Sequence, residues 1–168
     1  MIKFPTARFL AAVLLAVTLT LTACQNAAEA PFLYRDRLSS ATVSDGIRTF
    51  RITPIAGGFA VEITDPPSVS GILYRITSEA SFVSMGEVEI PVSDRMSAAA
   101  KQVITLFTPS DDQLLSAKTD KKTGTRTVRF SNDADEITVS LNENGSPLSF
   151  KTKDGTWTVQ EYIPKPEI

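Results

Sequence analysis

The residues able to do covalent or proton chemistry are few, and their spacing narrows them further. The chain of 168 residues has no histidine and one cysteine, Cys24. Without an imidazole, Ser-His-Asp and Cys-His hydrolysis are excluded, and so are His-ligated metal sites. A nucleophilic serine would then need a buried lysine, and no Ser-x-x-Lys occurs after Cys24. Two acidic groupings remain. Asp111-Asp112 has the groups for acid–base work, but two carboxylates must flank a substrate and usually come from separate elements. Adjacent acids opening a helical turn are better read as dipole-favoured capping. Asn132-Asp133-Ala134-Asp135-Glu136 has oxygens for Ca²⁺, but neither the loop length nor the glycine of an EF-hand, so it reads as an acidic turn. Lys121-Lys122 reads as a solvated hairpin tip. No enzyme, metal or cofactor is expected.

Cys24 has a different kind of chemistry around it. Lys3 and Arg8 precede Phe9 to Leu21, an apolar run broken only by Thr18 and Thr20. Leu21-Thr22-Ala23-Cys24 follows directly. A positive start, an apolar stretch and small residues before a cut describe a secretory signal. The run of about 13 residues falls short of the roughly 18 a spanning helix needs. Leu, a small residue and Ala before Cys resembles the lipobox of bacterial lipoproteins. That resemblance implies a signal peptide over residues 1–23 and a thiol that is diacylglycerylated before cleavage. Cys24 then becomes a membrane attachment, with two acyl chains giving stable anchoring where one does not. Gln25 to Pro31 is a tether whose seven residues reach at most about 25 Å. The expected place is the cell envelope, outside the cytoplasmic membrane, close to the bilayer.

Removing the first 23 of 168 residues leaves 145, enough for one domain with its own core. The leader takes Lys3 and Arg8 with it, so 15 Lys+Arg face 19 Asp+Glu and the net charge is −4. With no basic excess to neutralise phosphates, nucleic acid is not expected as a partner. No polybasic stretch addresses anionic headgroups. With Cys24 as the anchor, no disulfide can staple the domain. The core alone must hold it.

The elements after the tether follow a two-residue period. Phe32 to Val43 reads as a first strand. Ser44-Asp45-Gly46 turns into a strand over Ile47 to Ile55. Ala56-Gly57-Gly58 turns again, and Phe59, Val61 and Ile63 then alternate with Ala60 and Glu62. At Asp65-Pro66-Pro67 a plain strand terminator is preferred to a cis bond. Ile72, Tyr74 and Ile76 share one side of the next strand, and Ser81 to Met85 and Glu87 to Val92 flank Gly86. The period then becomes helical: Met96, Ala99, Ala100, Val103, Ile104 and Phe107, with Ser93 or Asp94 as cap and Pro109 beyond the end. A short helical turn is expected at Ser110 to Leu115. Hairpin strands follow at Leu115–Thr119, Thr125–Ser131, Glu136–Leu141, Leu148–Lys153 and Thr156–Ile163, with Asn144-Gly145 and Asp154-Gly155 as turn signals. The expected class is α+β: about ten antiparallel strands in a large sheet that curls over one main helix.

Pro66-Pro67-Ser68-Val69-Ser70-Gly71 and Asn144-Gly145-Ser146-Pro147-Leu148, with the helix between them, resemble the LolA/LolB-like lipoprotein-localisation family. The resemblance covers 32–164 as a single domain. It implies a curved half-barrel plugged by helices, whose cavity holds acyl chains or other hydrophobic ligands. LolA-type carriers begin with a helix, whereas strand pattern here starts at Phe32. On this reading the ligand is an acyl chain, lipid or lipoprotein. Phe59, Val61, Ile63, Ile72, Tyr74, Ile76, Val128, Phe130, Val139 and Trp157, with Ile137 and Leu141, would line the cavity, and Met96, Val103, Ile104 and Phe107 would cover it. Acyl chains need such walls because each methylene gains by leaving water. The plainer alternative is that the same residues fill a core, in an interaction lipoprotein that contacts an envelope partner.

Overall fold

The computed structural model describes residues 30–132 and 135–166. From Phe32 onward the chain runs α1 (Leu33–Asp36), β1 (Leu38–Ser44), β2 (Thr49–Ile55), β3 (Gly58–Asp65), β4 (Ile72–Thr77), β5 (Ser81–Met85), β6 (Val88–Pro91) and α2 (Ala98–Phe107). A 3₁₀ turn, Asp111–Gln113, leads into β7 (Leu114–Thr119), β8 (Arg126–Asn132), β9 (Asp135–Leu141), β10 (Pro147–Thr152) and β11 (Gly155–Pro164). All eleven strands form one sheet in the order β6-β5-β4-β3-β2-β1-β11-β10-β9-β8-β7, and each adjacent pair is antiparallel. Two meanders therefore meet where the first strand pairs with the last. The sheet does not close, and β6 and β7 are its edges.

Curvature follows from what α2 touches. The helix packs on β2 and β3. It also borders a cleft with Asn132, Asp135, Ile137 and Thr152 of the other meander. One ten-residue helix of about 15 Å can reach both only if the sheet curls around it. Val103, Leu106 and Phe107 are fully buried on that helix, as are Val128, Phe130, Val139 and Phe150 opposite.

Three local expectations need correction. Phe32 to Val43 is not one strand. The Arg37 N–H donates to the Leu33 carbonyl at 3.1 Å, closing a helical turn, and β1 starts only at Leu38. Tertiary packing decides this: Phe32 and Tyr34 are both buried, meeting Phe130 at 5.6 Å and Phe150 at 5.9 Å between ring centres. The main helix starts at Ala98, later than the spacing from Met96 implies. Neither Ser93 nor Asp94 caps it with a side chain. Ser97 sits at the N-cap, and its hydroxyl donates to the Ser93 carbonyl at 3.2 Å. Finally, Asp65–Pro66 is cis, while still ending β3 as expected.

Candidate functional site

Facing residues of antiparallel strands project to the same side. The register therefore sorts every side chain into an inner or an outer face. Ala41, Ile52, Val61, Tyr74, Val83 and Ile90 form one continuous cross-strand row from β1 to β6. Val43, Phe50 and Ile63 form a second row on β1–β3. Ile72, Met85 and Val88 take it up on β4–β6, where the Gly71 N–H donates to the Ile63 carbonyl at the junction. Both rows lie on the face that α2 covers. The outer face of the same strands carries ion pairs, Arg51 with Glu62 and Arg75 with Glu89, beside the half-buried Leu73 and Phe82.

Burial falls steadily along these inner rows. Phe50 and Val61 are fully buried and Ile63 nearly so, while Ile72, Tyr74, Ile76 and Val83 are half-buried. At the edge Ile90 is 50 % exposed, Met85 67 % and Val88 68 %. No residue of β4, β5 or β6 is fully buried. The helix covers the middle of the sheet, and the apolar inner face continues beyond it into solvent.

The residues expected to line a cavity therefore divide. Val61, Ile63, Val103, Phe107, Val128, Phe130, Val139 and Trp157 belong to one buried cluster in which helix and sheet meet directly. Phe59, Ile72, Tyr74, Ile76 and Ile104 pack against its margin. Met96 is 60 % exposed and lies outside the helix, so it covers nothing. Sequence reasoning missed the aromatic plugs Phe32, Tyr34, Phe50 and Phe150. It also missed the exposed inner-face trio Met85, Val88 and Ile90. The trio was within reach, because parity along Ser81–Met85 and Val88–Pro91 already sorts these residues onto the face of Tyr74.

The plug is densely aromatic. Phe107 and Phe150 stand 5.1 Å apart, edge to face, and Phe50 meets Trp157 at 5.8 Å. The Tyr34 hydroxyl donates to the Leu106 carbonyl at 3.3 Å, and the Tyr162 hydroxyl donates to the Tyr34 carbonyl at 2.7 Å. Burial pushes the Tyr34 phenol well above its usual range. It pushes the half-buried Tyr162 up to about 12, partly offset by the nearby Arg37. Both phenols are structural donors at neutral pH.

Clefts among the described residues border the covered region. One of about 270 Å³ lies between α2 and the ends of β8–β10, with Gln102, Thr105, Asp135 and Asp154 on its walls. A second of about 200 Å³ lies beside α1, at Arg37, Ser146 and Tyr162. A third, about 310 Å³, lies where the β4–β5 turn and the segment after β6 approach Lys101 of α2.

The remaining candidates are held by local partners. Asp111 accepts from Arg35 at 3.1 Å, and that guanidinium also donates to the Pro109 carbonyl at 2.7 Å. Ser110 and Gln113 close a capping box around Asp112. The Arg35 guanidinium also pairs with Asp36 at 2.7 Å. In the acidic turn, Asp133 and Ala134 lie outside the described residues. Asp135 pairs with Lys153 at 2.7 Å, and Glu136 with Arg129. Among the described residues no three His, Cys, Asp or Glu side chains form a metal-binding group. Lys121 and Lys122 sit exposed at the β7–β8 tip. Cys24 and the residues read as signal and most of the tether lie outside the described residues. No described helix is long and apolar enough to cross a membrane.

No family model matches the chain, and no curated protein matches it. A solved structure of an uncharacterized conserved protein from Thermus thermophilus is similar at 18 % identity, with a TM-score of 0.44. The likeness covers 77 % of this chain and 79 % of that one.

Proposed function

We propose that this protein is an envelope lipoprotein, anchored through Cys24, which binds a hydrophobic ligand on the uncovered inner face of β4–β6. The ligand class is an acyl chain, a lipid or a lipoprotein. The observation that carries this reading is the continuation of the apolar rows past the helix, from buried Phe50 and Ile63 to Met85 and Val88 at two-thirds exposure. Apolar side chains aligned on one face, with ion pairs on the other, leave a surface whose burial is favourable at about 25 cal/mol per Å². The half-buried Ile72, Tyr74 and Ile76 join it to the core, so a ligand there would extend the existing packing. The LolA/LolB-like resemblance of the sequence agrees with a ligand on the concave side. The ligand would lie on the uncovered margin of that side, since the middle is filled by α2.

The filled aromatic plug favours a second reading, a non-enzymatic interaction lipoprotein whose exposed apolar face contacts an envelope partner. One experiment separates them. The protein is purified gently from its own membranes, without the anchor, and analysed by native mass spectrometry and lipid extraction. A stoichiometric hydrophobic ligand supports the first reading and names its class. A clean apo mass, with no uptake of added lipids or fluorescent fatty acids, overturns it and leaves the interaction reading. Anchoring is tested separately. Cys24→Ser should abolish labelling by a clickable fatty acid, and an unlabelled wild-type protein would refute the lipoprotein reading.

A further inference from the structure

We propose that the bound molecule lies lengthwise along β4–β6, with its tail toward Met85 and Val88 and a zwitterionic headgroup in the cleft beside Lys101 and Asp94. The inference rests on the ligand reading above and deepens it by naming headgroup chemistry and orientation.

The inner face of this wing changes character along the strand direction. At one end stand Ile72, Met85 and Val88, all apolar, and in the middle Tyr74, Val83 and Ile90. At the other end Ile76 pairs with Ser81, and the Val92 N–H donates to the Ser81 carbonyl at 2.9 Å. That end opens directly into the cleft of about 310 Å³, whose walls include Ser81, Val92, Glu79, Asp94 and Lys101. Four residue steps from Met85 to Ser81 span about 13 Å. An inner face that is apolar at one end and meets a charged cleft at the other matches an amphiphile in one orientation only.

The charges then select the headgroup. The Lys101 ammonium sits 2.6 Å from an Asp94 carboxylate oxygen, and Glu79 adds a second carboxylate to the same cleft. Two negative groups stand against one positive group. A purely anionic head meets a surplus of like charge, and a purely cationic head engages the carboxylates alone, with Lys101 left on Asp94. A phosphate joined to an amine satisfies both signs: the phosphate faces Lys101 and the amine faces Asp94 and Glu79. The Lys101–Asp94 pair is exposed, so it can exchange its partner for a ligand at little cost.

The test is a native mass-spectrometry titration of the protein purified from its own membranes. Lysophosphatidylethanolamine is compared with lysophosphatidylglycerol carrying the same acyl chain. The expected result is a preference for the ethanolamine lipid of about two- to fivefold, the range set by exposed charge pairs. In Asp94→Asn/Lys101→Gln that preference should fall to about one, with circular dichroism confirming the fold. Equal binding of the two lipids by the wild type overturns the headgroup assignment and leaves the ligand reading standing. A preference that survives in the double variant places the headgroup elsewhere and also overturns it. Uptake of neither lipid overturns both readings together.

Discussion

The two wings of the sheet are built from similar residues and end in opposite states. On β8–β10 the inner-face residues Val128, Phe130, Ile137, Val139, Leu141 and Phe150 are all buried under α1 and α2. On β4–β6 the inner-face residues Ile72, Tyr74, Val83, Met85, Val88 and Ile90 are half-buried or exposed. Composition does not separate the wings; cover does. A single ten-residue helix and the α1 turn shield one meander, and only the first three strands of the other lie within reach. Stability is therefore concentrated in one wing, while the other has apolar surface to spare.

The largest effect should come from the covered wing. Phe150 is fully buried and touches both Tyr34 and Phe107. Phe150→Ala should cost about 3–5 kcal/mol, read by urea denaturation, through lost transfer energy and a cavity the rings cannot collapse into. A loss below about 1 kcal/mol would mean that the aromatic plug is not what holds the wing.

Next in size is a change at the seam. Gly58 pairs with Thr77 where β3 meets β4, and a Cβ there would overlap the Ile76 carbonyl oxygen and stand 2.8 Å from Thr77 Cα. Both obstacles are backbone, so Gly58→Ala must push β4 away from β3. The expected cost is about 1–3 kcal/mol. Hydrogen exchange should show the loss on β4–β6 first, with β8–β10 keeping their protection. Uniform loss across the sheet would mean that the wings unfold as one unit.

A smaller effect belongs to the turn between β1 and β2. Asp45 accepts from the Ile47 and Arg48 N–H groups at 2.9 and 2.6 Å and from the Arg48 guanidinium. Burial raises its carboxyl, but those donors outweigh burial and hold it below the usual range. A depressed folded pKa contributes stability above the unfolded value, about 3.9, and that contribution is lost as pH falls through the folded value. Asp45→Asn should therefore cost about 1 kcal/mol at pH 7, and the gap to wild type should begin to close below about pH 4. The guanidinium lies 5.2 Å over the Phe50 ring, so the loss should register at the covered core. A gap unchanged at pH 3 would contradict this.

What the sequence made legible was local. Alternation in Phe59–Ile63 and Ile137–Leu141, Asn144-Gly145 as a turn, and the 3.6-residue spacing through Phe107 each follow from one element's own period, and each matches an observed strand, turn or helix. The class, a curved antiparallel sheet with one main helix, follows from their sum. What the sequence could not show was cover. Phe32 and Tyr34 alternate like a strand but fold as a helical turn, because the rings they must reach lie some hundred residues further along the chain. Met96 keeps helical spacing, yet the helix starts two residues later and leaves it in water. Whether Val61 and Met85, both on the inner face, are buried or open depends on how far α2 extends over the sheet. That is a tertiary length, and no window of sequence contains it.

The smallest effect on stability should carry the largest effect on function. Met85 and Val88 pair across β5 and β6 on the inner face, and each is about two-thirds exposed. Met85→Ser/Val88→Ser removes apolar surface that is already in water, so thermal or urea unfolding should shift by no more than about 0.5 kcal/mol per site. If the wing binds an acyl chain, the same variant should lose lipid uptake by native mass spectrometry, because the tail would then lie against hydroxyls it cannot satisfy. Phe150→Ala assayed below its unfolding transition should keep that uptake, since its cavity lies on the other wing. A double variant that binds lipid as well as wild type would place the ligand away from β4–β6. A double variant that unfolds would show that this wing is held by its exposed edge, erasing the difference between the two halves.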